Sequence, residues 1–189
     1  MKSLNNILFP NHVCPWWGIY LLDNPIRRIF HQPEKMLAPY VSDKMTVLDI
    51  GCGIGYFSIG LARLVGNKGK VISIDVQKKM LKGVKKRALK AGLEHRIHTH
   101  LCDSHRLGIK TVGDFILTFW MVHEVPDIEN FMSEVFSLLK VGGKYLLVEP
   151  KVHVSKQKFS SISNTAIQTG FKILSHPNIA LSRALLFEK

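Results

Sequence analysis

Thr46-Val-Leu-Asp-Ile-Gly-Cys-Gly-Ile-Gly-Tyr-Phe-Ser-Ile-Gly-Leu61 decides the fold of this chain. Val47, Leu48 and Ile50 make a run of buried-strand character, with Asp49 near its end. Gly51, Gly53 and Gly55 follow at every second position and read as a tight turn, and the residues after them open a helix. Lys70-Val-Ile-Ser-Ile-Asp75 is a second hydrophobic strand that ends in another acid. Strand, glycine turn, helix, strand, acid is the layout that holds an adenosine-bearing cofactor at the carboxyl edge of a parallel sheet. A dinucleotide fingerprint is spaced G-x-G-x-x-G and rests a pyrophosphate on the helix amino terminus. Here the spacing is G-x-G-x-G, with Asp49 just before the first glycine. A carboxylate there repels a pyrophosphate and suits a ligand with a cationic amino group.

Outward from this stretch the elements alternate. The first strand covers 46–50, the first helix about 55–65, the second strand 70–75 and the second helix 77–91. Strands follow at 96–100 and 113–119, and Asp127 caps a helix that runs to Lys140 with Ile128, Phe131, Met132, Val135 and Leu139 at helical spacing. Val141-Gly-Gly-Lys reads as a turn, Tyr145-Leu-Leu-Val148 lies in a fifth strand, and a helix over 155–169 precedes a closing hairpin, 171–174 with 182–187. Alternation of strand and helix with right-handed crossovers gives an α/β, Rossmann-like three-layer αβα sandwich. Its seven-stranded sheet is mostly parallel with an antiparallel closing strand. Residues 1–45, broken by Pro10, Pro15, Pro25, Pro33 and Pro39, read as a short helical cap ahead of the domain at 46–189. Asn24-Pro25 and Gln32-Pro33 each start a short helix there, with Ile26, Ile29 and Phe30 facing the core.

The stretch around Asp49 resembles the first motif of the class I S-adenosylmethionine-dependent methyltransferases. Leu139-Lys-Val-Gly-Gly-Lys-Tyr-Leu-Leu-Val-Glu149 is similar to a later turn and strand of that family, and the resemblance runs from about residue 35 to the end. It is similar in particular to the small-molecule branch typified by the ubiquinone/menaquinone biosynthesis and arsenite methyltransferases. The resemblance implies S-adenosylmethionine as cofactor, S-adenosylhomocysteine as product, and methyl transfer to a small-molecule acceptor whose accepting atom is left open. It further implies Asp49 near the methionine amino group, Gly51, Gly53 and Gly55 giving the backbone close approach, and Asp75 accepting hydrogen bonds from both ribose hydroxyls. Val76 and Met80 flank the adenine and Asp103 lies near its amino group, unless Asp103 only caps its loop.

Phe119-Trp-Met-Val-His-Glu-Val-Pro-Asp127 resembles the loop that runs beside the methyl group, so Phe119 and Trp120 touch the cofactor. His123 is the candidate general base or substrate orienter, because an imidazole ionises near neutrality; a purely structural hydrogen bond is the alternative. Glu124 either orients His123 or faces solvent. Trp16 and Trp17 pack the cap or line an acceptor pocket bordered by His12, His123 and His153, with Tyr20 near the cofactor. A soft metal site at His12 and Cys14 with His123 or His153 ranks below both readings, and no metal is expected.

Charge adds a competing idea. The formal net charge is +12, and seven cations sit between Lys78 and Lys90, where Met80, Leu81, Val84 and Ala88 share one helical face. A solvated amphipathic helix explains this pattern, and a nucleic-acid or acidic-membrane patch is the alternative. An RNA methyltransferase and a non-catalytic cofactor-binding protein are the other functional readings. N6-adenine and N4-cytosine methylating enzymes of this fold usually carry an Asn/Asp-Pro-Pro-aromatic motif where this chain has Phe119-Trp-Met-Val, and the glycine spacing opposes a nicotinamide dehydrogenase. No apolar run approaches the roughly 18–20 residues of a membrane span. Cys14, Cys52 and Cys102 have no paired spacing, which suits free thiols and a cytoplasmic protein.

Overall fold

Strand β1 (Thr46–Ile50) lies inside the sheet, which is why its residues are apolar on both faces. It pairs in parallel with β2 (Lys70–Asp75) on one side and β4 (Gly113–Phe119) on the other, Val47 standing opposite both Val71 and Phe115. The computed structural model describes residues 30–189; the expectations placed on 1–29, among them the Asn24-Pro25 helix and the core-facing Ile26 and Ile29, lie outside the described residues. The remaining strands are β3 (Ile97–Leu101), β5 (Leu139–Pro150), β6 (Lys172–Ser175) and β7 (Ser182–Glu188). The sheet order is β3-β2-β1-β4-β5-β7-β6. Strand β7 runs antiparallel between β5 and β6, so the closing hairpin inserts its second strand into the sheet. Strand order reverses between β1 and β4, and the crevice beyond their carboxyl ends is where such a sheet receives ligands.

Alternate residues of β1 feed two cores. Val47 packs with Val71, Phe115 and Leu117 beneath α1 (Pro33–Leu37), α2 (Tyr56–Leu64) and α3 (Lys78–Ala91). Leu48 and Ile50 pack with Ile74 and Ile116 against α4 (Ile128–Ser137) and α5 (Lys156–Thr169) on the other face. The result is the expected three-layer sandwich. Leu37 and Val41, inside the stretch read as a cap, belong to the first of these cores. Phe30, in contrast, is 49% exposed and does not face the core.

Most expected boundaries agree to within one residue, and the exceptions cluster at one place. Helix α4 stops at Ser137 instead of reaching Lys140, because Leu139 leaves the helix to pair with Gly113 as the first residue of β5. The expected turn at Val141-Gly-Gly-Lys is therefore an irregularity inside β5: pairing breaks after Leu139 and resumes at Lys144 opposite Phe115. Gly142 there takes φ +72° and Val141 is 90% exposed. Asp127 does cap α4, accepting the Asn130 N–H at 3.0 Å. Along α3, Met80, Leu81, Val84 and Ala88 are buried while Lys78, Lys82, Lys85 and Lys86 are exposed, the pattern of an amphipathic helix with a solvated face.

Phe115 is fully buried where both neighbours of β4 and the α1 side of the core meet it. Phe115→Ala is expected to lower stability by about 3–5 kcal/mol. Urea unfolding measures this, and a loss of less than ~1 kcal/mol with an unchanged denaturant slope would contradict the assigned packing.

Candidate functional site

The glycine turn is strapped to the end of β2 by main-chain bonds. Gly51 and Cys52 both donate to the Ile74 carbonyl, at 2.9 and 3.0 Å. The Asp75 carboxylate completes the strap: Oδ2 accepts the Gly53 N–H at 2.9 Å and Oδ1 the Gln77 N–H at 2.8 Å. A carboxylate has about four lone-pair sites, so acceptor capacity remains for a ligand hydroxyl. Burial pushes the Asp75 carboxyl up to about 6, outweighing the N–H bonds from Gln77, Gly53 and Val76 that pull it down. Asp49 is buried one strand away and accepts the Ser58 hydroxyl at 2.5 Å, and Ser58 in turn accepts from Ser73 at 2.8 Å. This serine relay fixes the Asp49 carboxylate and is invisible in the spacing of the sequence.

These groups line a cleft of about 460 Å³ at the carboxyl edge of the sheet. That size suits a small-molecule or cofactor site. Of the residues the sequence pointed to, Asp49, Gly51, Gly53, Asp75, Val76 and Met80 all reach it. Asp103, Phe119, Trp120, His123 and His153 reach it as well. Asp103 is exposed and its Oδ1 accepts the His105 N–H at 2.9 Å, so it also holds its own loop. Gly55 is not among the lining residues. It sits at the start of α2 with φ +84°, where a Cβ would press on Val84 of α3 at 3.2 Å. Gly51, at φ +69°, faces a similar constraint: a Cβ there would fall 2.6 Å from Cγ of Met121. Both glycines are thus required by the protein's own packing. His12, Cys14, Trp16, Trp17 and Tyr20 lie outside the described residues. Among the described residues, no group of three His, Cys, Asp or Glu side chains is placed to hold a metal ion.

Beyond β4 the chain turns sharply. Trp120 has φ +62°, a left-handed conformation that costs a bulky residue on the order of 1 kcal/mol or more. Two bonds hold it there: its N–H donates to the Val148 carbonyl at 2.8 Å and its indole N–H to the Ser182 hydroxyl at 2.9 Å. The turn lays Met121 over Gly51 and brings a short 3₁₀ turn, Val122–Glu124, against the end of β5. There Glu149, fully buried, accepts the Val122 N–H at 2.9 Å, and its other oxygen lies 2.5 Å from His123 Nδ1. Glu124 Oε1 is 3.8 Å from His123 Nε2, so Glu149 and not Glu124 is the acid that engages the histidine at hydrogen-bond distance. The His153 ring lies parallel to that of His123, 6.4 Å away. Phe119 stands behind, its ring 4.2 Å from Phe57.

Glu149 is the residue that sequence reading missed. The signal was present: like Asp49 and Asp75, it is an acid near the carboxyl end of a strand. Cys52 and Cys102 also border the cleft. Burial first, then the nearby Asp49 and Asp75 carboxylates, pushes the Cys52 thiol well up, and burial and Asp75 push Cys102 up to about 12. Neither provides a thiolate nucleophile at neutral pH.

Fold and site together define a doubly wound α/β protein with a nucleoside-type cleft at its topological switch point. The methyltransferase domain family model matches residues 41–176, and the chain belongs to that family. It is similar to the ubiquinone/menaquinone biosynthesis C-methyltransferase UbiE of Wigglesworthia glossinidia brevipalpis, 29% identical over 54% of this chain and 42% of that protein. It is 30% identical to the demethylmenaquinone methyltransferase of Lactobacillus johnsonii over 70% of this chain and 52% of that one. The chain thus spans about half the length of these curated relatives. A solved SAM dependent methyltransferase from Aquifex aeolicus has the same fold, with a TM-score of 0.83 and 23% identity over 93% of this chain and 98% of that one.

Gly51→Ala is expected to destabilise the protein by about 1–3 kcal/mol, part from the left-handed backbone and part from Met121. Adding Met121→Ala should recover the second part, giving a coupling of about 0.5 kcal/mol or more in a double-mutant cycle. Strict additivity in thermal unfolding would contradict the contact.

Proposed function

We propose that this protein is an S-adenosylmethionine-dependent methyltransferase that acts on a small-molecule acceptor by in-line displacement and leaves S-adenosylhomocysteine. The observation that carries the reading is the Asp75 carboxylate, which binds the glycine turn through Gly53 and lines the cleft as a hydrogen-bond acceptor for ribose hydroxyls. The cleft fits this ligand. Asp75 takes the ribose, Val76 and Met80 flank the adenine, and Asp103 stands beside the adenine amino group. Asp49, held by Ser58, receives the cationic amino group. Gly51 and Gly53 present main chain to the ligand, while Gly55 supports the turn from behind. Phe119 and Trp120 border the far end with His123, and His153 faces the acceptor beside His123.

The bound sulfonium supplies a strongly electrophilic methyl group, so the protein's task is to hold the acceptor in line and exclude water. His12, Trp16, Trp17 and Tyr20 belong to the same reading as acceptor contacts from the amino-terminal segment. The name of the UbiE relative places that protein's chemistry at carbon in ubiquinone/menaquinone biosynthesis; the acceptor atom here stays open among O, N, S and C. A cytoplasmic location accompanies the proposal. The Cys52 and Cys102 thiols are free, and no helix among the described residues is long and apolar enough to cross a membrane.

Calorimetric titration with S-adenosylmethionine and S-adenosylhomocysteine tests the reading. One-to-one binding on the order of micromolar is expected. No binding to the folded, ligand-free protein would overturn the proposal. The Asp75 carboxyl gives the binding a pH dependence of known sign. Raised to about 6 in the folded protein, it contributes stability that is fully present below the unfolded value near 4 and is lost as pH rises through 6. Ribose hydroxyls donate to the ionised form, so binding pulls the other way: affinity for S-adenosylhomocysteine should fall as pH drops below about 6, approaching tenfold per pH unit. Asp75→Asn should weaken binding at pH 7.5 and flatten this profile. An unchanged profile in that variant would contradict the ribose assignment.

A further inference from the structure

From the buried contact between Glu149 and His123 we infer a positioning dyad, in which Glu149 fixes the imidazole as proton acceptor for an acceptor molecule that arrives protonated on its nucleophilic group. The inference rests on the methyl-transfer reading. It adds a residue which that reading does not use, and a constraint on the acceptor's chemistry.

Three observations carry it. Glu149 has no exposed surface; the Val122 N–H donates to its Oε1 and His123 Nδ1 lies at hydrogen-bond distance from its Oε2, so both oxygens are engaged. A carboxylate against Nδ1 keeps the proton on that nitrogen and leaves the lone pair on Nε2. His123 lines the cleft, and Nε2 is on the ring edge away from Glu149, with Glu124 Oε1 3.8 Å off, beyond hydrogen-bond reach. The backbone that carries the ring is tethered as well: the Lys158 side chain donates through Nζ to the His123 carbonyl at 3.0 Å.

A buried carboxylate that merely filled space would cost more than an apolar side chain of the same volume. A carboxylate that stabilises an imidazolium is useful only where the imidazole takes up a proton. The reaction balances accordingly. His123 Nε2 removes the acceptor's proton as the acceptor atom bonds to the methyl carbon. The carbon–sulfur bond breaks with its electron pair going to sulfur, which leaves as the neutral thioether. The proton stays on the imidazolium opposite Glu149 until water takes it. Hydroxyl and thiol acceptors fit this dyad. A nucleophile that carries no proton has no use for it.

Glu149→Gln makes a sharp test, because Val122 sets the amide's orientation. The amide oxygen must keep the Val122 N–H, so its NH₂ faces Nδ1 and forces the imidazole proton onto Nε2. Long-range ¹⁵N–¹H spectra of histidine-labelled protein at pH 9, saturated with S-adenosylhomocysteine, read the tautomer directly; His123→Gln identifies the ring. The wild type should show His123 protonated on Nδ1, and Glu149→Gln should switch it to Nε2. A wild-type ring protonated on Nε2, or a tautomer unmoved by Glu149→Gln, would overturn the dyad. In an assay of S-adenosylhomocysteine release with hydroquinone, benzyl mercaptan and nicotinamide as probes, kcat for the protic probes should fall roughly 100-fold or more in His123→Gln and about tenfold or more in Glu149→Gln. Methylation of nicotinamide alone would overturn the acceptor class. Titration with S-adenosylhomocysteine separates the two levels of the argument. Unchanged affinity in both variants places the defect in proton transfer, whereas no binding even by the wild type defeats the methyltransferase reading and leaves the tautomer result standing on its own.

Discussion

The carboxylate of Asp75 joins two pieces of chain that the sheet alone does not fix. It ends β2, accepts the Gly53 N–H from the turn after β1, and accepts the Gln77 N–H where α3 begins. The turn after β1 takes left-handed backbone at Gly51, Gly53 and Gly55, which gives it no regular ladder of its own. With Gly51 and Cys52 bound to Ile74 and Gly53 to Asp75, the turn becomes a rigid extension of the sheet edge. The same carboxyl is held partly out of water, and its acidity is weakened for that reason. In the proposed binding mode, ribose hydroxyls that donate to Asp75 relieve this burial cost, so the group that shapes the turn would also help select what binds beside it.

At the other end of the cleft the logic repeats with different partners. Phe119 stands opposite Val148 in the β4–β5 pairing, which brings the loop after β4 level with Glu149. The strained Trp120 turns that loop back, and its bond to the Val148 carbonyl ties the strain to β5. Val122 and His123 then meet Glu149, 26 residues further along the chain in the case of His123. Three strands thus carry acids at their carboxyl ends: Asp49 and Asp75, proposed to meet a cationic amino group and a ribose diol, and Glu149, which meets the His123 imidazole.

Much of this was legible in the sequence because it depends on local periodicity. Apolar runs at Val47 and Val71 and helical spacing at Met80 and Phe131 are set within one element, and the structure places those elements where the pattern does. The residues that the sequence left obscure answer to partners far along the chain. Leu139 matches the helical spacing of α4, but pairing with Gly113 takes it into β5. Gly55 fits a ligand-binding pattern, yet Val84 and its own positive φ explain it. Glu149 reads as the last residue of a strand until β4 and β5 are known to be neighbours. Glu124, adjacent in sequence to His123, is the nearer guess and lies the farther from it.

The most direct test of this account is a crystal structure of the protein with S-adenosylhomocysteine. The account predicts the ribose 2′- and 3′-hydroxyls within hydrogen-bond distance of the Asp75 carboxylate, the amino group beside Asp49, and the sulfur directed toward His123. A ligand seated elsewhere, or one whose ribose leaves Asp75 untouched, would contradict it.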